Sequence, residues 1–164
     1  MSLRVMGALV ALLLVLSGCS AKDAPKASTP KLPDEMLQSF DSGPALDLSK
    51  VRGPAVINVW ASWCGPCRRE LPRYQAFSQK YAGKVKVIGI DFQDTQVGKA
   101  RELIKQAGVT FPLYRDPEGD MRSRVLPQLI LLDAKGHVTY EKYIEITSLA
   151  HLEKLVEKHL GAVA

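Results

Sequence analysis

Along most of the chain, apolar residues come either in short dense runs or at helical spacing, and the order in which the two alternate predicts the fold. Ala55-Val56-Ile57-Asn58-Val59-Trp60 is a β-branched and aromatic run that follows Gly53-Pro54, the signature of a strand buried on both faces. From Pro66 to about Tyr81 the period lengthens. Leu71, Tyr74, Phe77, Ser78 and Tyr81 stand three or four residues apart, which predicts a helix, kinked at Pro72, which removes one donor and crowds the Arg68 carbonyl. Val85 to Asp91 reads as a second buried strand, and Gln96 to Gln106 as a helix ended by Gly108. Phe111 to Tyr114 is a short strand and Asp116 to Gly119 a turn; Leu129 to Leu132 is a third buried strand. Asp133 to Gly136 makes a hairpin turn into an antiparallel partner over Val138 to Ile144. Thr147 or Ser148 caps a last helix whose apolar face is Leu149, Leu152, Leu155, Val156 and Leu160. This order predicts an α/β domain with a mixed central sheet and helices on both faces.

The first 43 residues follow neither pattern. Arg4 precedes an uncharged run from Val5 to Leu16, shorter than the roughly 20 apolar residues of a spanning helix and of the form of a secretion signal. Leu16-Ser17-Gly18-Cys19 resembles the bacterial lipobox, which implies cleavage before a lipid-modified Cys19. Acyl chains there would tether the protein to a membrane surface without embedding it. Residues 20 to 43 are polar and rich in proline, and the part up to Pro33 reads as a flexible tether. Met36, Leu37 and Phe40 are expected to be the first side chains to dock on the domain, and Ala45 to Ser49 to form a short edge strand. The expected organisation is a lipoprotein signal peptide over 1–18, a lipidated N-terminus and tether over 19–43, and a folded domain over 44–164.

Composition narrows the function classes. With 164 residues, 46% hydrophobic and 24% charged, the chain can bury one core. A net charge of +5 falls to +4 without Arg4, and the lysines and arginines are dispersed, so nucleic acid is not an expected partner. Cysteine occurs only at 19, 64 and 67, fewer and closer than a structural disulfide framework usually carries.

The chemistry therefore concentrates in Trp63-Cys64-Gly65-Pro66-Cys67, between a buried strand and a helix. At a helix N-terminus, unpaired N–H groups and the helix dipole favour a thiolate on the first cysteine. Proline in the first turn gives up no hydrogen bond. Cys64 is the candidate nucleophile and Cys67, one turn deeper, the resolving thiol. A zinc site needs four ligands, whereas His137, His151 and His159 fall on the hairpin turn and the last helix, so no metal is expected and no cofactor.

Trp-Cys-Gly-Pro-Cys after a buried strand, with Leu126-Pro127 opening a later one, resembles the thioredoxin superfamily. Cys67-Arg68-Arg69-Glu70-Leu71-Pro72, the lipobox and the inserted strand and helix resemble its membrane-tethered TlpA/ResA-like branch. The resemblance implies a thioredoxin-like fold with a TlpA-type strand-helix insertion and a redox-active Cys64–Cys67 disulfide. It also implies a cis-proline at Pro127 that presents the preceding residue to a bound substrate, and an acid, Glu70, that exchanges a proton with Cys67. Trp63, Gly65, Pro66 and Leu126 would form the substrate-facing rim. Asn58 stands where cytoplasmic thioredoxins carry a buried aspartate. The other reading of Glu70 is a solvated residue paired with Arg69 or Arg73. Two departures fall near the rim: Gln128-Leu129 replaces a pair of threonines, and Tyr140 to Glu145 lacks a common glycine.

The function so implied is an extracytoplasmic thiol-disulfide oxidoreductase that reduces partner protein disulfides, supplied with electrons by a membrane thiol donor. It would be a monomer, lipid-anchored to a bacterial membrane and facing the periplasm, with Ser20 favouring the outer membrane where there is one. Members of this type serve cytochrome c maturation, general disulfide reduction or oxidative-stress defence. The rivals are a thiol peroxidase-like antioxidant and a copper-handling or chaperone-like binding protein that uses the same pair.

Overall fold

The computed structural model describes residues 29–161; the leader, Cys19 and Ser20 lie outside the described residues. Seven strands form one sheet in the order β2-β1-β5-β4-β3-β6-β7. β3 (Ala55–Trp60) is its centre, with all six residues buried, paired in parallel to β4 (Lys86–Phe92) and antiparallel to β6 (Gln128–Leu132). β4 in turn pairs in parallel with β5 (Leu113–Asp116), and β6 in antiparallel with the edge strand β7 (Val138–Tyr143). Between the parallel strands run α1 (Gly65–Lys80), which continues through Pro72, and α2 (Val97–Gln106). α3 (Leu149–Leu160) closes the chain, with Ser148 accepting the His151 N–H as its cap.

Because β3, β4 and β5 run the same way and crossovers between parallel strands are right-handed, α1 and α2 fall on one face. There Val56, Trp60, Leu129 and Leu131 of the sheet meet Leu71, Tyr74 and Phe77 of α1, Ala100 of α2 and Leu152 and Val156 of α3. The opposite face buries Ile57, Val59, Ile90, Ile130 and Leu132 under Leu32, Leu37, Met121 and Leu48, so among the described residues the α-helices cover one face and not the two expected. Leu48 sits in the short 3-10 helix Leu48–Lys50, which takes the second half of the segment expected as an edge strand and leaves only Leu46–Asp47 as β2. Asp47 causes the switch by accepting the Ser49 N–H at 3.1 Å, a local turn that competes with the ladder.

The sheet begins ahead of residue 44, where the sequence places the domain boundary. Met36–Ser39 forms β1, antiparallel to β5; Lys31 bridges to His137 and Leu32 is buried, so the tether expected up to Pro33 is already docked from Lys31. Leu37 goes to one face and Phe40 to the other, both nearly inaccessible, whereas Met36, expected to dock with them, is 55% exposed. Two buried side chains in a polar stretch are too few to show a period.

Candidate active site

The motif occupies the loop where β3 ends and α1 begins. Cys64 is the N-cap of α1, and its Sγ receives the Cys67 N–H at 3.3 Å. The two cysteines are joined in a disulfide. Cys64 retains 5% of its surface and Cys67 none, so a partner sulfur can approach only the first. Trp63 beside it is 51% exposed, while Trp60 at the strand end is wholly buried. Gly65 and Pro66, in the first turn, are half-buried. Gly89 of β4 makes room for Trp60: a Cβ there would lie 3.3 Å from the indole nitrogen and collide with Leu113.

The second wall comes from the loop before β6. Asp116, at the end of β5, accepts three backbone N–H groups, from Gly119, Asp120 and Met121, at 2.7 to 2.9 Å. This fixes the loop that leads to Leu126–Pro127, whose peptide bond is cis. Leu126 is half-buried and Val125 59% exposed. Gln128 lies on the sheet face away from α1, with Ile130 and Leu132, and donates to Glu141 at 2.6 Å. Its departure from the family pattern therefore ties β6 to β7 and does not enter the cysteine side.

Beneath the motif the helix stripe contains an acid. Cys67, Glu70, Leu71, Tyr74 and Phe77 are the buried face of α1, and Glu70 has no accessible surface. The alternative of a solvated Glu70 paired with an arginine does not hold. Arg69 forms a two-pronged contact with Glu145 at 3.0 and 2.7 Å, and Arg73 donates to the Ile146 carbonyl at 2.7 Å. Glu70 instead accepts the Ile146 N–H at 2.8 Å through one oxygen and has no protein donor at the other. Burial pushes its carboxyl up to about 8, against the Ile146 N–H; Glu145 adds to the rise, and Arg73 and Arg69 oppose it. Residues three apart on a helix are neighbours, their Cβ atoms about 5–6 Å apart, so Glu70 lies next to Cys67. Asn58, on the sheet face below, is buried with neither amide atom paired.

A second buried acid was not singled out in the sequence. Asp91, at the end of β4, has 1% of its surface exposed and no donor to either oxygen. Burial and the neighbouring Asp94 push it up to about 8. Asp94 receives the Ser62 N–H at 2.5 Å and the Gln96 N–H at 2.8 Å. Burial works against its charge, but the contacts with Ser62 and Gln96 outweigh it and hold the carboxyl below the usual range. Asp94 thereby anchors the loop two residues before Cys64. Its only local sequence signal is an Asp ahead of a helix; the 32-residue separation from Ser62 hides the rest.

Residues 24–141 match the AhpC/TSA family model. Thioredoxin-like protein YneN of Bacillus subtilis (strain 168) is 32% identical over 110 residues, 63% of this chain and 64% of that protein, so the match spans less than two thirds of that relative. Thiol-disulfide oxidoreductase ResA of Bacillus cereus is 30% identical over 122 residues, 71% of this chain and 69% of ResA. A solved structure described as a thiol:disulfide interchange protein DsbE, from Chlorobium tepidum, superposes with a TM-score of 0.69 at 27% identity, covering 83% of this chain and 97% of that one. A strand feeding a helix capped by a disulfide-bonded C-x-x-C, an X-Pro cis bond opening β6 and these likenesses agree: the chain belongs to the AhpC/TSA family and, within the thioredoxin superfamily, to the ResA-like thiol-disulfide oxidoreductases.

Proposed function

We propose that the protein reduces disulfides of partner proteins outside the cytoplasm, and that Glu70 moves the proton of Cys67 while it does so. The observation that carries the reading is the asymmetry of the pair: Cys64 caps the helix and keeps an accessible edge, whereas Cys67 is closed off beside a buried acid.

In the reduced protein the Cys64 thiolate attacks one sulfur of the partner disulfide, and the other partner sulfur leaves as a thiolate. A mixed disulfide to Cys64 results. Glu70, in its ionised form, takes the proton of Cys67, and the new thiolate attacks Cys64 Sγ. The Cys64–Cys67 bond closes, the second partner sulfur leaves, and two electrons have passed to the partner. In reverse, Glu70 in its acid form protonates Cys67 as the disulfide opens. A carboxyl pushed up to about 8 is available in both forms near neutral pH.

The direction rests on the Gly65-Pro66 pair, the thioredoxin arrangement; thioredoxin poises at about −270 mV and the oxidant DsbA at about −120 mV. Pro127 and Leu126 are assigned to hold an extended partner segment, with Trp63, Gly65 and Pro66 as the rest of the rim. The leader over 1–18, Cys19 as lipid anchor and a tether from Cys19 to about Pro30 would place the domain at a membrane facing the periplasm, recharged by a membrane thiol donor. Ser20 favours the outer membrane where the organism has two.

The test is to replace each cysteine in turn. Cys67→Ser is expected to accumulate a mixed disulfide with a partner protein, Cys64→Ser to lose insulin reduction, and a redox titration to fall near the thioredoxin value. Full reductase activity in Cys64→Ser, or a potential near that of DsbA, contradicts the reading.

A further inference from the structure

Glu70 sits between two arginines of its own helix and pairs with neither. Arg69 and Arg73 bracket it in sequence, and either would be expected to claim a buried carboxylate within reach. Both are held by the segment between β7 and α3: Arg69 by the two carboxylate oxygens of Glu145, Arg73 by the Ile146 carbonyl and, at 3.9 Å, by Glu145 Oε1. Ile146 also holds Glu70, through its N–H. One dipeptide thus binds three polar positions of the helix beside the resolving cysteine.

We propose that Glu145 is a positioning residue of the thiol-disulfide exchange: it draws Arg69 and Arg73 away from Glu70 and fixes the Ile146 N–H against it, leaving Glu70 free to carry a proton to and from Cys67. The inference rests on the proposed role of Glu70. Nothing in the sequence joins Glu145 to the motif, 76 residues upstream of it at Arg69.

The groups facing Glu70 are few. Its own helix supplies Cys67, Arg69, Arg73 and the buried Tyr74, whose hydroxyl is raised by burial first and by the Glu70 charge second. The β7–α3 segment supplies Glu145. From α3, Glu153 is engaged with Lys80 at the far end of α1 at 2.6 Å, and His151 stands 3.3 Å from the Thr147 hydroxyl. Among these, the arginines favour an ionised Glu70 and Glu145 disfavours it. Removing the Glu145 charge also frees Arg69 and leaves Arg73 without its neighbouring carboxylate, so its effect on Glu70 has one sign. Removing Arg69 has the other.

The experiment titrates the Glu70 side-chain carboxyl by carbon NMR in the oxidised protein and follows, in the reduced protein, the pH profile of mixed-disulfide resolution. Glu145→Gln is expected to move both midpoints down by about one unit or more, the size of effect an adjacent opposite charge produces. Glu145→Asp should restore them, and Arg69→Met should move them up. A Glu145→Gln protein with a lower melting temperature and unmoved midpoints overturns the proposal, leaving Glu145 a structural tie alone. Unmoved midpoints in Arg69→Met do the same should Glu145→Gln fail to fold. If Glu70→Gln abolishes the resolution midpoint while Glu145→Gln leaves it in place, the role of Glu70 stands and that of Glu145 falls. If Glu70→Gln leaves the resolution profile intact, both fall.

Discussion

Two buried carboxyls flank the cysteine motif, and burial drives both to about 8, yet their surroundings give them different work. Glu70 stands in the stripe that carries Cys67, has one backbone donor, and has its nearby arginines occupied by others. Asp91 has no donor, whereas its neighbour Asp94 accepts the N–H groups of Ser62 and Gln96. Proton affinity alone does not separate the two. Placement does: one acid lies beside Cys67, and the other lies under the loop that carries Cys64.

The comparison breaks most sharply at Glu70. Glu70→Gln should slow the resolution of a mixed disulfide by about 100-fold, the lower range of general acid–base contributions, while leaving the first attack by Cys64 within about twofold. Stopped-flow measurement of the two steps separates them. At the other site Asp94→Ala removes a charged acceptor from a buried N–H and should cost about 2 kcal/mol, read from the urea midpoint, with both kinetic steps affected together.

The pH dependence of stability sharpens the contrast further. Both acids bind a proton more tightly when folded, so each contributes stability that is complete below its unfolded value, 4.5 for Glu70 and 3.8 for Asp91, and is lost as pH rises toward about 8. The slope is at most about 1.4 kcal/mol per pH unit for each group. Denaturant unfolding between those limits should show stability declining with pH, and Glu70→Gln and Asp91→Asn should each flatten it. The smallest effect expected is on turnover in Asp91→Asn, within about twofold of the parent.

Much of this was legible in the chain. The central strand, the three helices and the hairpin stood out because each carries a run or period long enough to reveal itself. The cysteines and Pro127 stood out because their spacing and residue types are rare. Glu70 was singled out by resemblance, and its position in the 67, 70–71, 74, 77 stripe accounts for its burial. What stayed hidden depends on distant pairing: β1 rests on two side chains and a partner strand far along the chain, the Asp94–Ser62 contact on a crossover, and the Glu145 clamp on the return of β7 to α1. The second face is covered by a 3-10 turn and single side chains such as Leu32 and Met121, a kind of cover with no periodicity to read.

The central claim is that the acid coupled to the sulfur chemistry is Glu70 and not Asp91. Reduction potential measured against pH in the parent, Glu70→Gln and Asp91→Asn proteins tests it directly, since a group whose proton affinity changes with the state of Cys67 bends that curve. The account predicts that the parent and Asp91→Asn share a bend near pH 8 in addition to those of the cysteine thiols, and that Glu70→Gln loses this additional bend. A bend that survives in Glu70→Gln and vanishes in Asp91→Asn would contradict it.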